Sequence, residues 1–124
     1  MPTGDAANLK FTPEMYWRVR ERELARKLQL VKDAIDECEQ ARNVLVNLSD
    51  TAKLNDPNWE DAQNAAMRSL RKARGAKTQL RNWVGHARDT IRIKPYLAEA
   101  VPQSVVDTLD TASRLCEYLD AHGF

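Results

Sequence analysis

Two long apolar seams with a period of 3.5 residues constrain this sequence more than any other feature. No Gly or Pro interrupts the chain from Glu14 to Leu48, and none lies between Pro57 and Gly75. A repeat of 3.5 is typical of helices that pack side by side over a long distance. The first seam comprises Trp17, Leu24, Leu28, Val31, Ile35, Cys38 and Leu45. The second comprises Trp59, Ala66, Leu70, Ala73, Leu80, Val84, Ala87 and Ile91, with Gln63 and Lys77 as polar members.

The starts of both runs carry the same helix signal. Thr12-Pro13 and Asp56-Pro57 each combine a favoured N-cap with a proline at the first helical position. Phe11 and Tyr16 have the spacing of a hydrophobic staple. Residues 49–56 have the composition of a turn. Each run of about 36 residues would be roughly 54 Å long, so the sequence predicts two antiparallel helices joined by a short loop.

A shorter third helix follows the hairpin. Pro95 ends the second run, and Ser104 with Asp107 has the spacing of a capping box. Gly123 is placed to close this helix at its C-terminal end. With only 4 Gly and 5 Pro, a turn-rich β fold is excluded. We predict an all-α fold, a coiled-coil-like antiparallel hairpin completed to a three-helix bundle. A flexible leader at 1–11 precedes one domain at 12–124, with helices at about 12–48, 57–93 and 104–121.

The lengths of the predicted helices leave part of the hairpin uncovered. A third helix of roughly 27 Å covers only about half of it, and we expect it on the flank of Ser69, Ala76, Trp83 and Thr90. The distal half would then expose an apolar stripe, which is typical of a protein contact. The alternatives are that residues 94–103 carry the third helix farther, or that residues 1–11 fold over the gap. Trp59 fits a contact anchor and a cap of the hairpin end equally well. The predicted partner-binding residues are Leu45, Leu48, Trp59 and Met67.

Charge is unevenly distributed along the chain. The net charge is +1, but residues 57–94 hold 9 basic and 3 acidic residues, whereas residues 95–124 hold 1 and 5. A row of arginines repeats every seven residues at 74, 81 and 88. It is either a phosphate-tracking edge or is paired internally with acidic side chains. Lys77 lies in the seam, where a charged side chain either extends its charged end to solvent or forms a pair, here with Asp33 or Glu37. The nucleic-acid or anion candidates are Arg68, Arg71, Lys72, Arg74, Arg81 and Arg88.

Motifs of catalysis and metal binding are missing from the sequence. It has no Gly-rich phosphate loop, no G-x-S-x-G and no kinase set, and His86 and His122 stand far apart. Cys38 and Cys116 lie on apolar stripes, where a thiol behaves as a small hydrophobe. No stretch reaches the ~18 apolar residues of a membrane span. We therefore expect no enzyme activity, no catalytic residues, no cofactor, no metal and no membrane partner, and a cytoplasmic location.

These observations favour a non-catalytic protein-protein interaction module, such as an adaptor, chaperone, inhibitor or assembly factor. It would act through the apolar hairpin surface and a charged helix edge. Its partner would be another protein or itself, and we expect a homodimer. The alternative, which we favour less, is a nucleic-acid-binding accessory protein that uses the basic edge of the second helix.

Overall fold

Four helices make up the computed structural model, which describes residues 12–48 and 56–124. They are α1 (Pro13–Asn47), α2 (Pro57–Ile93), α3 (Pro95–Ala98) and α4 (Gln103–Ala121). These two described ranges contain no strand, and α1 and α2 pack against each other as an antiparallel hairpin. The predicted all-α hairpin bundle is confirmed. The leader at 1–11, the staple residue Phe11 and the turn residues 49–55 lie outside the described residues.

Both long helices begin at the predicted caps. The Thr12 hydroxyl accepts a hydrogen bond from the Met15 amide at 3.2 Å, and Pro13 opens α1. The Asp56 carboxylate accepts one from the Asn58 amide at 2.9 Å, and Pro57 opens α2. Each cap satisfies one of the backbone N–H groups that a helix start leaves without a partner.

The main core lies at the base of the hairpin, where α3 and α4 meet α1 and α2. Trp17 is fully buried, and its indole Nε1 donates to the Leu97 carbonyl oxygen at 2.6 Å, which ties α1 to α3. Burial of the large ring and satisfaction of its one donor favour the same geometry. The core cluster consists of Trp17, Leu24, Val31, Leu80, Val84, Ala87, Leu97, Val105, Leu109, Ala112, Cys116 and Leu119.

Helix α4 lies on the opposite flank of α2 from the one we expected. Its Asp110 and Asp120 pair with Arg88 and Arg81, and Cys116 Sγ lies 4.0 Å from the Lys77 carbonyl oxygen. The flank of Ser69, Ala76, Trp83 and Thr90 is therefore not its docking site. Charge explains the difference, because the acidic helix packs beside the row of arginines. On the other flank, the cations of α1 lie over the Trp83 ring.

The two ends of α4 differ in how well the sequence predicted them. The start at Ser104 is wrong, because Pro102 is the N-cap and no side chain caps the helix. Ser104 Oγ instead donates to Glu21 of α1 at 3.1 Å. The end is as predicted. Gly123 has a φ of +86°, and the Phe124 amide donates to the Leu119 carbonyl at 2.8 Å. This is the Schellman arrangement, which needs a left-handed residue after the helix.

The contacts of α4 also fix how much of the hairpin it covers. It begins beside Glu21 near the base and ends beside Arg74, whose guanidinium donates to the Gly123 carbonyl oxygen at 3.0 Å. The connection at 94–103 therefore does not carry it farther. We call residues 36–48 of α1 and 57–73 of α2 the distal half. Among the described residues, only these two helices form it.

Candidate functional site

The distal half exposes apolar side chains that the base of the bundle buries. Val44, Val46 and Met67 are 56%, 73% and 52% exposed. Only Cys38, Ala62 and Ala73 are buried apolar residues there, and all three are small. The distal half therefore has no large side chain fully removed from solvent among the described residues. Exposed apolar surface of this kind marks interaction sites in proteins that bind partners.

The four predicted partner-binding residues lie in this region with different exposure. Met67 is exposed, whereas Leu45, Leu48 and Trp59 are half-buried. The Trp59 indole nitrogen is shielded from solvent and has no hydrogen-bond acceptor among the described residues. Leu48 is the C-cap residue of α1. Val46, the most exposed large apolar residue of the described ranges, was not among the predicted contacts.

An apolar groove continues from the end of α4 toward the tip of the hairpin. Arg74 contacts α4, and Met67 lies seven residues before it, so both share one edge of α2. The Arg42 guanidinium lies 6.0 Å from the centre of the Phe124 ring. The flank of α1 that carries Arg42 is therefore on the same side of the hairpin as α4 and this edge of α2. Val46 follows Arg42 by one turn. We call this surface the distal groove, and its members are Leu45, Val46, Met67 and Leu70.

The row of arginines on α2 is engaged by α4. Arg81 forms an ion pair with Asp120, and Arg88 pairs with Asp110 at 3.3 Å. Arg74 donates to the backbone of Gly123, as described above. These contacts agree with the internal-pairing alternative, in which the arginines fix the position of α4. Each exposed pair contributes only about 0–1 kcal/mol, so the row sets the register more than the stability.

The other basic candidates lie farther along α2. Lys72 pairs with Glu37 across the hairpin at 3.0 Å. Arg68 and Arg71 are exposed, and neither makes an ion pair within residues 12–48 and 56–124. The six candidate cations therefore do not form one continuous free edge.

Lys77 is the buried cation of the seam, and its partner differs from both predicted ones. Its Nζ donates to Asp120 Oδ1 at 2.6 Å and to the Phe124 carbonyl oxygen. Asp33 and Glu37 make other contacts, with Gln29 and Lys72. Hydrogen bonding from Lys77, assisted by the nearby charges of Arg81 and Lys77, lowers the pKa of Asp120 below its ordinary value. The register role proposed for a charged seam residue thus involves α4 rather than α1.

A second cluster, which the sequence analysis missed, lies on the flank away from α4. The Arg20 guanidinium lies between the rings of Tyr16 and Trp83, at 4.9 and 5.0 Å from their centres. Lys27 Nζ lies 5.4 Å from the Trp83 ring centre. The spacing of Tyr16, Arg20, Glu23 and Lys27 on one flank of α1 was the available signal. We call this flank the Trp83 side.

The thiols and imidazoles have structural surroundings. Cys38 and Cys116 are free and buried, and burial raises the pKa of the Cys116 thiol. His122 is the C-cap of α4, and its Nδ1 lies 2.7 Å from the Tyr118 carbonyl oxygen, as expected for a residue at a helix C-terminus. Within the described ranges, no three His, Cys, Asp or Glu residues gather as a metal site would require.

Comparisons with protein-family models, with curated proteins and with solved structures found no match for this chain. Of the helices at 12–48 and 56–124, none combines the length and apolar character needed to cross a bilayer.

Proposed function

We propose that the protein is a non-catalytic interaction module that binds another protein chain through the distal groove. The observation that carries this proposal is the exposure of Val46 and Met67 on a half of the hairpin where α4 is absent. Two helices packed alone leave both sides of their seam open to solvent. A partner that supplies one or two further helices would complete a bundle there.

The chemistry of the chain supports a binding role over catalysis. Acidic side chains of α4 align with basic ones of α2 beside an apolar floor, and we expect the same complementarity to select a partner helix. The buried free thiols favour a reducing compartment, and we expect the cytoplasm. A nucleic-acid function loses its main support, because Arg81 and Arg88 are occupied by carboxylates.

A photo-crosslinking residue in place of Val46 tests the proposal in cells that express the protein. The same residue in place of Ile93, which is 61% exposed at the base, is the matched control. We expect a crosslinked species from position 46 and none from position 93. Met67→Glu should remove the position-46 species while leaving the helical circular dichroism unchanged.

Two results would contradict this proposal. One is the absence of a crosslinked species of any mass from position 46. The other is unfolding of the monomer by Met67→Glu, because the distal groove would then be part of the protein's own core. The mass of the crosslinked species separates a second copy of the 14.1 kDa chain from a different partner.

A further inference from the structure

We infer that the occupant of the distal groove is a second copy of this chain, bound antiparallel. Its α2 would lie against α2 of the first copy, with a twofold axis near Ala65 and Ala66. The inference rests on the proposed function and adds the identity and orientation of the partner. Three features of the described residues support it: the free length of the groove, the position of α4, and the order of charges along α2.

The free length of the groove matches the distal half of another copy. The distal part of α2, residues 57–73, spans about 26 Å at 1.5 Å per residue. An antiparallel copy brings a distal half of the same length. The start of its α2, at Pro57, therefore lies level with Arg74, where α4 begins to occupy the groove. The groove is then filled by the partner on one side of that level and by α4 on the other.

The position of α4 selects the antiparallel orientation. If both copies used the distal groove with their tips pointing the same way, their α4 helices would meet on the same face at the same end of the assembly. The two α4 helices would overlap there. With the tips pointing in opposite directions, the two α4 helices lie at opposite ends of a central four-helix bundle. Such an interface is isologous, so the same patch serves both copies.

The order of charges along α2 is self-complementary in the antiparallel orientation. Glu60 lies in the first turn of α2. Arg71 lies about three turns later, one turn beyond Met67. An axis near Ala65 and Ala66 brings Glu60 of one copy beside Arg71 of the other, and symmetry makes this contact twice. Both side chains are exposed, and neither forms an ion pair among the described residues. In a parallel contact, each of these residues would lie beside the same residue of the other copy, so that like charges would meet.

The apolar and charged residues have separate tasks in this arrangement. Met67 and Val46 lose exposed apolar surface, which favours association. The paired rim charges contribute little energy but select the orientation and register. The buried face is small, about 26 Å by the width of two helices at ~10 Å each. We therefore expect a dimer that dissociates on dilution.

Charge reversal tests the orientation. In Glu60→Arg, two like-charge contacts replace the two pairs, and the same holds for Arg71→Glu. Sedimentation velocity should show a concentration-dependent dimer for the native chain and dimers weakened by about tenfold for each variant. An equimolar mixture of the two variants should regain the native affinity, because both contacts are again opposite in sign. Circular dichroism of each variant shows whether it is folded.

A cysteine at the axis provides an independent test of the surface. Met67→Cys places one thiol from each copy near the twofold axis, where mild oxidation should form a disulfide between copies. Val44→Cys is the matched control. It is also exposed, but it shares the edge of Glu37 on the Trp83 side. We expect a covalent dimer from Met67→Cys and none from Val44→Cys.

A native chain that stays monomeric at all concentrations would overturn this inference. So would a dimer that the charge mixture does not restore, or one crosslinked through Val44→Cys rather than Met67→Cys. None of these results removes the proposed function, which fails only if position 46 gives no crosslink or the groove is internal core.

Discussion

At the scale of single residues, Asp120 of α4 contacts two cations of α2 at once. It accepts from Lys77 at 2.6 Å and pairs with Arg81, and it lies one turn before the Gly123 cap. Lys77 is buried, so without Asp120 its charge would retain, among the described residues, only the Phe124 carbonyl oxygen as a partner. A buried charge that loses its partner is costly. The carboxylate therefore has a larger role than its own exposed position suggests.

The lowered pKa of Asp120 makes its contribution depend on pH. A carboxyl group whose folded pKa lies below its unfolded value stabilises the fold above the unfolded value, about 3.9. That stabilisation is lost as the pH falls through the folded pKa. We expect Asp120→Asn to lower the melting temperature by a few degrees at pH 7. The difference from the native chain should shrink as the pH falls below the unfolded value and through the folded pKa of Asp120.

Thermal melts from pH 7 to pH 2 measure this effect. Glu117→Gln is the control, because Glu117 makes no ion pair in the part of the chain that the structure describes. A difference between Asp120→Asn and the native chain that stays constant at all pH values would show that the charge of Asp120 is irrelevant.

At the scale of helices, the three described glycines differ in backbone conformation, and substitution should affect them in opposite directions. Gly75 and Gly85 lie inside α2, and a Cβ built on either meets no atom within 4 Å. Alanine at each should raise the free energy of unfolding by up to ~1 kcal/mol, because helical glycine is less favourable by that amount. Gly123→Ala should lower it by about 1–2 kcal/mol, since its φ of +86° is strained for a residue with a Cβ.

Urea denaturation of the three single variants compares these effects directly. The Gly75 variant is the matched control for the Gly123 variant, because the chemical change is the same and only the backbone conformation differs. A stabilising Gly123→Ala would mean that α4 does not end in the left-handed cap.

Helix starts and ends that local chemistry controls could be predicted from the sequence. Thr12, Asp56 and Gly123 act within one turn of themselves, so no knowledge of the tertiary structure was needed. The start of α4 could not be predicted in this way. Ser104 has the right spacing for a cap, but Glu21, 83 positions away in sequence, takes its hydroxyl. A long-range partner of this kind leaves no trace in local spacing.

At the scale of the whole molecule, a three-helix base and a two-helix distal half share one continuous hairpin. The seams and the short third helix predicted this asymmetry, and the unpartnered groove follows from it. The flank that α4 uses was missed because small residues around Trp83 suggested space for a helix. Opposite charges decided instead, as Arg81 and Arg88 align with Asp120 and Asp110. The rows of opposite charge were visible in the sequence. The sequence did not show that charge pairing would decide the docking flank over the space left by small side chains.

The ion pairs between α2 and α4 predict how the molecule responds when the arginine edge is reversed. Arg81→Glu with Arg88→Glu would place carboxylates beside Asp120 and Asp110 in the docked α4. We expect this double variant to lose about 1–2 kcal/mol of stability, and added salt should recover part of the loss. Arg26→Glu with Arg68→Glu is the control of equal charge, because both arginines are exposed and neither pairs with α4 among the described residues.

Chemical denaturation at about 50 and 200 mM salt separates this expectation from a polyanion-binding edge. If α4 is the arginines' partner, the double variant at 81 and 88 is destabilised at low salt, the control is not, and neither substitution changes an affinity for DNA or RNA measured by fluorescence anisotropy. If the edge tracks phosphates, the double variant keeps its stability and loses a salt-sensitive affinity that the native chain shows. The second pattern would require α4 to release Arg81 and Arg88 when nucleic acid binds, because both are in ion pairs in the folded chain.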